Sequence, residues 1–481
     1  MAVGMGRTAG KGAVFLGLSQ AVQIVCTLAS TVVIARILNP ADYGVIAMTA
    51  PITGFILIFQ GMGLNQALVQ SKNLTSEQVN ALFWLNIFAS LIISLLFIIL
   101  SPTIEWFYSD VRPRNIMAAS SIMVLLTGSM LQHTALLNRD MKFRVLSIIG
   151  VVGAITNLAF TLVFALLIQS YWALFLGNLA SVLVSCVLTW HFDDWRPSKN
   201  IKLTGTRSLV KFGANVSGFN LLNYFSRNAD NILIAKFWGA QQLGLYDRCY
   251  RLMMFPLQAI NTPLSRVMLP ALSKVSDQPE RFRSIYLSSI RAIGAFSMPG
   301  VIVGAICSSE VVSILLGDRW SGASSIFFWL SLAAVSQPIG NATGWLFMSS
   351  GRTNAMMRWG MISTPITLVS FVVGLPWGAS GVAAAYFLSQ SLRLPILFKM
   401  CTTDTPLRPA DFYVSFMPAI LSGVASYGVA YSVRQSVTPI VLILIITTCS
   451  YIFCFSIQAL SSSGRFELLR LFNLIKTTFS K

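Results

Sequence analysis

The chain has 481 residues, of which 55% are hydrophobic and only 10% are charged, and its formal net charge is +18. Soluble domains carry about 25% charged residues, so this composition argues against a soluble enzyme or binding domain and indicates an integral membrane protein with many spans. The seven cysteines and two histidines are scattered without a CxxC pair or a metal-ligand spacing, which argues against a disulfide framework and a zinc site.

The chain opens with a basic segment and an apolar run that continues to Ala35. This run is too long for the core of a signal peptide and has no small-residue cleavage site, so we expect an uncleaved first span. A span needs about 20 mainly apolar residues. Fourteen segments meet this condition: 13–35, 43–69, 81–100, 115–137, 145–168, 171–190, 208–236, 243–270, 285–307, 323–349, 355–375, 380–400, 412–432 and 438–460.

The cations indicate how these spans are oriented. An even number of spans puts both termini on one side. If that side is the cytoplasm, the inner segments hold more than three times as many Lys and Arg residues as the outer ones. This is the positive-inside bias of membrane proteins. It predicts cytoplasmic termini, and it explains the positive charge without a nucleic-acid partner.

An internal repeat relates the first half of the chain to the second. A shift of 200 residues places 32–36 on 232–236 and Gly44 on Gly244, although chance agreement of apolar residues is the alternative. Two similar halves that start from the same side are typical of alternating-access transporters. The predicted organisation is an N-lobe of six spans at 1–200, a C-lobe of six spans at 201–404, and two further spans with a cytoplasmic tail at 405–481.

Seven cations lie inside the predicted spans, where a charge at mid-depth costs roughly 2.5–3.5 kcal/mol. They are Lys211, Arg227, Arg248, Arg251, Arg266, Arg291 and Arg393. Only two acids accompany them, Asp230 and Asp247, which lie three residues after Arg227 and four before Arg251 and can pair with them on one helix face. A purely structural network explains these pairs but leaves a surplus of positive charge.

This surplus predicts an anionic substrate. Arginine stays charged and can donate two parallel hydrogen bonds to a phosphate or carboxylate. We therefore predict that the seven cations line a substrate cavity, with Arg227, Arg248 and Arg251 as its centre. Asp230 and Asp247 would be structural or coupling partners.

The first six spans carry amides instead of charges: Gln20, Gln23, Asn65, Gln66, Asn86, Gln132, Asn157 and Asn178. Two interpretations stay open for them, hydrogen bonds to sugar hydroxyls and hydrogen bonds between helices. His133, His191 and the acidic pair Asp193-Asp194 are interpreted as ordinary polar residues near span ends. The sequence has no GxxxxGK[S/T] phosphate loop and no DxD-like acidic loop. We expect no catalytic residue, metal or cofactor.

Several segments resemble the Wzx-type polysaccharide flippases. The segment Ile34–Gly44 is similar to the ARxLxPxxYG link between their first two helices. The segments Trp84–Asn86, Arg139–Phe143 and Gly317–Trp320 resemble the branch that exports colanic acid and succinoglycan. That branch belongs to the multidrug/oligosaccharidyl-lipid/polysaccharide exporter superfamily, and the similarity runs from Lys11 to about Leu460.

The resemblance implies two six-helix lobes in a V around a central cavity, with two additional helices. It also implies that an undecaprenyl-pyrophosphate-linked oligosaccharide moves from the cytoplasmic to the periplasmic leaflet of a bacterial inner membrane. The cationic cavity would take the pyrophosphate and the sugar. The partners would be this lipid-linked oligosaccharide, membrane lipids, a polysaccharide polymerase and a chain-length regulator.

Two other functions compete with this one. A drug/cation antiporter of the same superfamily would have acidic residues in the first-lobe spans, and these predicted spans contain none. A membrane polymerase or ligase that acts on the same lipid carrier would have a large periplasmic loop. The predicted outer loops are all short, and the longest covers 308–322.

Overall fold

The chain is described by a computed structural model. The backbone is described for residues 2–61, 75–199 and 207–460. Side chains are described at residues 15, 17–54, 75–199, 224, 228–254, 257, 264–265 and 267–460. The elements in these ranges are helices and turns, with no strand among them. The predicted all-α membrane class is therefore confirmed.

Two compact units make up the chain, Met1–Gly244 and Leu245–Lys481. The helices that begin in the first unit are α1 Ala2–Ala35, α2 Pro40–Gly61, α3 Ser76–Tyr108, α4 Val111–Arg139, α5 Phe143–Ile168, α6 Trp172–Phe192 and the long α7 Arg207–Ser273. Helix α3 packs along α4, and α5 packs along both α6 and α1. The predicted lobes 1–200 and 201–404 and the addition 405–481 stay a prediction.

The second unit contains the second half of α7 and eight further helices. They are α8 Pro279–Ile306, α9 Ser308–Leu315, α10 Ala323–Val335, α11 Gln337–Ser349, α12 Thr353–Gly374, α13 Gly378–Thr402, α14 Pro409–Val433 and α15 Pro439–Leu460. Short 3-10 turns at Asp318–Trp320 and Leu375–Trp377 lie between them. A hydrophobic core joins the end of α7 to α8, α11, α13 and α14, with Leu272, Tyr286, Phe398 and Phe412 fully buried.

Ten helical segments among the described residues are long and apolar enough to cross a membrane. They cover eleven of the fourteen predicted spans, because α12 and α13 are joined in the single segment Thr353–Thr402. The predicted span 43–69 extends past the described part of α2. The two predicted spans of α7 are not among these ten segments, and they carry more charged residues than the others. The chain is therefore a multi-pass membrane protein.

A break divides α7 into two arms. Gly239 has φ 73°, a left-handed backbone conformation that glycine adopts without the steric cost of a Cβ. The predicted spans 208–236 and 243–270 lie on either side of it. The short link expected between these spans is confirmed as a break at one glycine.

The link between α1 and α2 crosses this break at very close range. A Cβ built on Gly44 would lie 1.7 Å from the carbonyl oxygen of Ala240, and one built on Gly244 would lie 1.8 Å from that of Pro40. The two contacts are reciprocal and related by the 200-residue offset of the repeat. The internal repeat itself stays a prediction. Only glycine fits at both positions.

Two ion pairs relate α8 to α14. Arg283 pairs with Asp411 at 2.6 Å near the start of both helices. Arg434, directly after α14, pairs at 2.7 Å with Glu310 of α9, the helix that directly follows the end of α8. The two helices therefore run in the same direction, as spans separated by an even number of crossings must. This agrees with the predicted alternation of sides. The side that faces the cytoplasm stays a prediction.

Candidate functional site

Three charged side chains meet near the start of the second arm of α7. The two carboxylate oxygens of Asp247 accept hydrogen bonds from Nε of Arg251 at 2.9 and 3.1 Å. Nη2 of Arg248 lies 3.4 Å from Oδ2 of the same carboxylate. The predicted pair of Asp247 and Arg251 is confirmed, and Arg248 joins it. One carboxylate thus contacts two guanidinium groups, and these three side chains are called the α7 cluster.

Arg251 projects from the side of α7 opposite to the packed face. Cys249 is fully buried, and its thiol donates to the carbonyl oxygen of Ala323 at 3.3 Å. Two residues correspond to about 200° of rotation around a helix. The Arg251 side chain is 57% exposed, whereas those of Arg248 and Asp247 are 15% and 11% exposed. The terminal nitrogens of Arg251 bond to no described residue, so its fork is open to an anion.

The α7 cluster lies in the first turns of the second arm. With a rise of about 1.5 Å per residue, Asp247 and Arg251 are about 12 and 18 Å along the helix from Gly239. If the predicted span 243–270 crosses the bilayer, a lipid-facing arginine at its centre costs roughly 2.5–3.5 kcal/mol. In that case the exposed Arg251 needs water or an anion beside it.

Arg393, also predicted to line the substrate cavity, hydrogen-bonds to its own and to a neighbouring helix. On α13 its Nε donates to the carbonyl oxygen of Ser389 at 2.9 Å. Its Nη1 donates to the carbonyl oxygen of Ser363 at 2.6 Å and to Oγ1 of Thr367 at 2.7 Å, both on α12. These bonds tie α13 to α12, and the substrate role of Arg393 stays a prediction. Sequence alone did not indicate the bonds, because two of the three acceptors are backbone carbonyls.

The remaining predicted cations are described only in part. Arg291 is half-buried on α8. The side chains of Lys211, Arg227 and Arg266 lie outside the described residues. Their roles, like those of the other predicted site residues, stay a prediction.

The first arm of α7 contacts α2 through a polar side chain. The hydroxyl of Tyr224 donates to the carbonyl oxygen of Ala50 at 2.7 Å. Asp230 is buried, and its Oδ1 accepts from the backbone N–H of Asn231 at 2.8 Å. The predicted pair of Asp230 with Arg227 stays a prediction, because the Arg227 side chain is outside the described part of the chain.

The first unit contains a polar cavity of about 290 Å³ between α1, α5 and α6. Its polar lining comes from Gln23 and Thr27 of α1, Asn157 of α5, and Ser181 and Ser185 of α6. The lining has no charged residue. This neutral cavity contains two of the predicted amides. The sequence could not single them out, because all eight amides carry the same groups.

The other predicted amides lie elsewhere. Asn86 and Gln132 are fully buried in α3 and α4, and their side-chain nitrogen and oxygen atoms have no hydrogen-bond partner among the described residues. Gln20 and Asn178 are exposed. Asn65 and Gln66 lie outside the described residues. The eight amides therefore do not share one environment, and neither sugar binding nor interhelical hydrogen bonding describes all of them.

Sequence reasoning missed a buried pair at the predicted inner end of the first unit. Nδ1 of His133 lies 2.7 Å from Oδ2 of Asp193, and the imidazole is enclosed by Trp190 and Trp195, with ring centroids 4.3 and 5.3 Å away. Arg196 donates to the backbone oxygen of Asp193. The contacts anchor the segment after α6 to α4. The 60-residue separation of the two partners concealed the pair.

Comparisons with known proteins agree with this architecture. The profile of a family described as polysaccharide biosynthesis protein matches residues 33–325. The lipopolysaccharide biosynthesis protein WzxC of Escherichia coli K12 is 22% identical over 386 residues, which cover 79% of this chain and 78% of that protein.

Two solved structures share the fold. The lipid II flippase MurJ in an inward closed conformation matches with a TM-score of 0.73 and 14% identity, over 93% of this chain and 99% of that chain. An inward-facing multidrug resistance MATE family transporter of the MOP superfamily matches with a TM-score of 0.63 and 14% identity, over 86% and 96%. At such identities the likeness is one of fold.

Proposed function

The chain belongs to the polysaccharide biosynthesis protein family, and we propose that it is a flippase for undecaprenyl-pyrophosphate-linked oligosaccharide repeat units. It carries them across a bacterial inner membrane for the synthesis of an exopolysaccharide or an O-antigen-like polysaccharide. Transport proceeds by alternating access around a cationic central cavity, with no covalent chemistry. Both termini are cytoplasmic.

The α7 cluster is the observation that carries this proposal. Arg251 presents a permanently charged fork from a helix in a membrane protein, and its side chain is 57% exposed. A pyrophosphate group offers several acceptor oxygens to such a fork. The other predicted cations add positive charge to the same cavity in this proposal: Lys211, Arg227, Arg248, Arg266, Arg291 and Arg393.

Two of the proteins that this chain resembles fit the proposed substrate. WzxC is described as a lipopolysaccharide biosynthesis protein, and MurJ as a lipid II flippase. A lipid-linked saccharide is the substrate that polysaccharide biosynthesis requires of a transporter. A polysaccharide polymerase and a chain-length regulator, which act on the transported units, are the proposed protein partners.

The antiporter alternative finds no support in the neutral cavity. A drug/cation antiporter needs carboxylates in its first half to bind cations, and the lining of this cavity contains only amide, hydroxyl, thiol and small side chains. The acids described in α3 are Glu77 and Glu105, which lie close to the two ends of that helix.

Reconstitution tests the function. The purified full-length protein is placed in proteoliposomes with a fluorescent polyprenyl-pyrophosphoryl disaccharide, and the fraction in the outer leaflet is followed with a membrane-impermeant quencher. We expect protein-dependent movement of the lipid with its disaccharide unchanged in length. A lengthened saccharide would instead indicate a polymerase, and the absence of movement would contradict the flippase.

A further inference from the structure

We propose that the neutral cavity between α1, α5 and α6 binds one uncharged saccharide ring of the transported lipid through its hydroxyl groups. The inference deepens the proposed function and rests on it for the source of the sugar. The observations behind it are separate from the α7 cluster and all lie within the first unit.

The chemistry of the lining selects a neutral, hydroxyl-rich ligand. Gln23 and Asn157 each offer an amide N–H₂ donor and a carbonyl acceptor, and the serine and threonine hydroxyls can both donate and accept. Sugar hydroxyls have the same dual character. A phosphate or carboxylate would find no cation in this lining, and a metal ion would find no carboxylate.

The two amides are uncommitted. Neither the Gln23 nor the Asn157 side chain hydrogen-bonds to another described residue. The hydroxyls of Ser181 and Thr27 donate to the backbone oxygens of Gly153 and Gln23 at 2.7 and 2.8 Å, which leaves their oxygens free to accept. Both side chains are half-buried. Their amides are therefore available to a ligand or to water in the cavity.

Glycine on α5 makes room for the amide of α1. A Cβ built on Gly150 would lie 2.7 Å from Nε2 of Gln23, so the absence of a side chain there lets the amide extend along α5. The cavity of about 290 Å³ is at the lower end of the roughly 300–1,000 Å³ typical of ligand pockets. Its size suits one ring rather than a whole repeat unit.

The cavity lies near the middle of its helices. Asn157 is close to the midpoint of α5 (Phe143–Ile168), and Ser181 is close to that of α6 (Trp172–Phe192). At this depth polar side chains face the protein interior, a water-filled space or a ligand, and they mark substrate pathways. The location is therefore suited to a sugar during its passage.

Binding of free monosaccharides tests the inference directly. Saturation-transfer-difference NMR is recorded on the full-length protein in nanodiscs with glucose, galactose and N-acetylglucosamine, and with glucuronate as a charged comparison. We expect a signal from at least one neutral sugar that exceeds the glucuronate signal. The signal of that neutral sugar should fall at least fivefold in Asn157→Leu and in Gly150→Val. The Cβ added at residue 150 meets only the flexible end of the Gln23 side chain.

Matched controls are Asn138→Leu, an exposed amide on α4, and Gly428→Val on α14, where an added Cβ meets nothing within 4 Å. Both should keep the wild-type signal. The inference is overturned if no neutral sugar gives a signal, if glucuronate gives the stronger one, or if the signal persists in both cavity variants. If one of the two cavity variants fails to fold, the sugar signal of the other variant still tests the inference.

The proteoliposome assay on the same preparations separates the two proposals. Transport without sugar binding would overturn the neutral cavity as a sugar site and leave the flippase intact. Sugar binding without transport would overturn the flippase and leave the binding site. Transport and binding that both decline in the cavity variants would support both proposals.

Discussion

The α7 cluster and the neutral cavity differ in charge although both belong to membrane helices. The first holds Arg248 and Arg251 on one shared carboxylate, and the second holds amides and hydroxyls with no ionisable acid or base except the Cys26 thiol. Each has polar groups that no described residue satisfies. The arginine fork suits an anion, whereas the amides suit a ligand that both donates and accepts.

This difference matches the two ends of a glycolipid headgroup. A pyrophosphate carries negative charge and only acceptor oxygens, and a neutral sugar carries hydroxyls. One type of side chain cannot bind both groups well. A charged side chain loses its hydration when a ligand covers it, and a neutral hydroxyl does not compensate for that loss. Separate regions of different chemistry allow both groups to be bound.

The largest expected effect is at Arg251. Arg251→Ala should slow transport of a pyrophosphate-linked lipid about 10- to 150-fold, because a hydrogen bond to a charged group contributes about 1.5–3 kcal/mol. Polymer export in cells should be lost at an unchanged protein level, and we expect the same of Arg227→Ala. Arg281→Ala, an exposed arginine at the start of α8, is the matched control. Normal export by both variants would contradict the cationic site.

Arg393 distinguishes a structural arginine from a substrate-binding one. Arg393→Met removes three hydrogen bonds that join α13 to itself and to α12, so the free energy of unfolding should fall by about 2–4 kcal/mol. Transport per folded molecule should change less than twofold. Thermal unfolding in detergent measures the first effect, with exposed Arg358→Met as control. An unchanged melting temperature together with lost transport would indicate that Arg393 binds substrate.

Asn86 tests whether a neutral amide outside the cavity matters. Its amide is fully buried without a partner among the described residues, so Asn86→Leu should raise the free energy of unfolding by about 1 kcal/mol. Transport should not change. The melting temperature is compared with that of exposed Asn138→Leu. A loss of more than 1 kcal/mol would show that Asn86 bonds helices together.

The smallest effect concerns a charge pair far from any substrate. Burial raises the pKa of Glu310. The hydrogen bonds to its carboxylate, of which those from Arg434 have the largest effect, together with the Arg434 charge lower the pKa by more, so that it lies below its usual value. A lowered folded-state pKa means that the pair stabilises above the unfolded pKa of about 4.3 and stops stabilising as pH falls through the folded pKa.

Glu310→Gln should therefore cost only about 0.2–1 kcal/mol at neutral pH, as expected for a pair whose arginine is largely exposed. The difference in melting temperature from the wild type should shrink as the pH falls below the unfolded pKa of about 4.3, and it should disappear once the pH is below the lowered folded-state pKa. Melting curves between neutral and acidic pH measure it, and Arg434→Gln should behave in the same way. A difference that persists at acidic pH would mean that the carboxylate does not act through its charge.

The sequence was sufficient to locate most of the helices. Hydrophobic runs identify spans because each must cover the same bilayer thickness. The offset of 200 residues pointed to Gly44 and Gly244, which the structure brings together in reciprocal contacts. The pairing of Asp247 with Arg251 followed from helical spacing alone. These features depend on local sequence or on a fixed offset.

Features that depend on helix packing could not be predicted. Arg393 looked like Arg251 in the sequence, yet Arg393 donates to a carbonyl and a hydroxyl of α12, whereas the Arg251 side chain is exposed. Gln23 and Asn157 are distinguished from Asn86 only by the rotation of their helices and by room at Gly150. The partner of His133 comes from the end of another helix.

The most direct measurement compares the transport rates of two synthetic lipids in proteoliposomes. Both carry a polyprenyl pyrophosphate, and only one carries a neutral sugar. Arg251→Ala should slow both lipids, because the phosphates are common to them. Asn157→Leu should slow only the glycosylated lipid, since the other has no ring to bind. Equal slowing of both lipids by Asn157→Leu, or wild-type rates with Arg251→Ala, would contradict a division between an anion-binding cluster and a sugar-binding cavity.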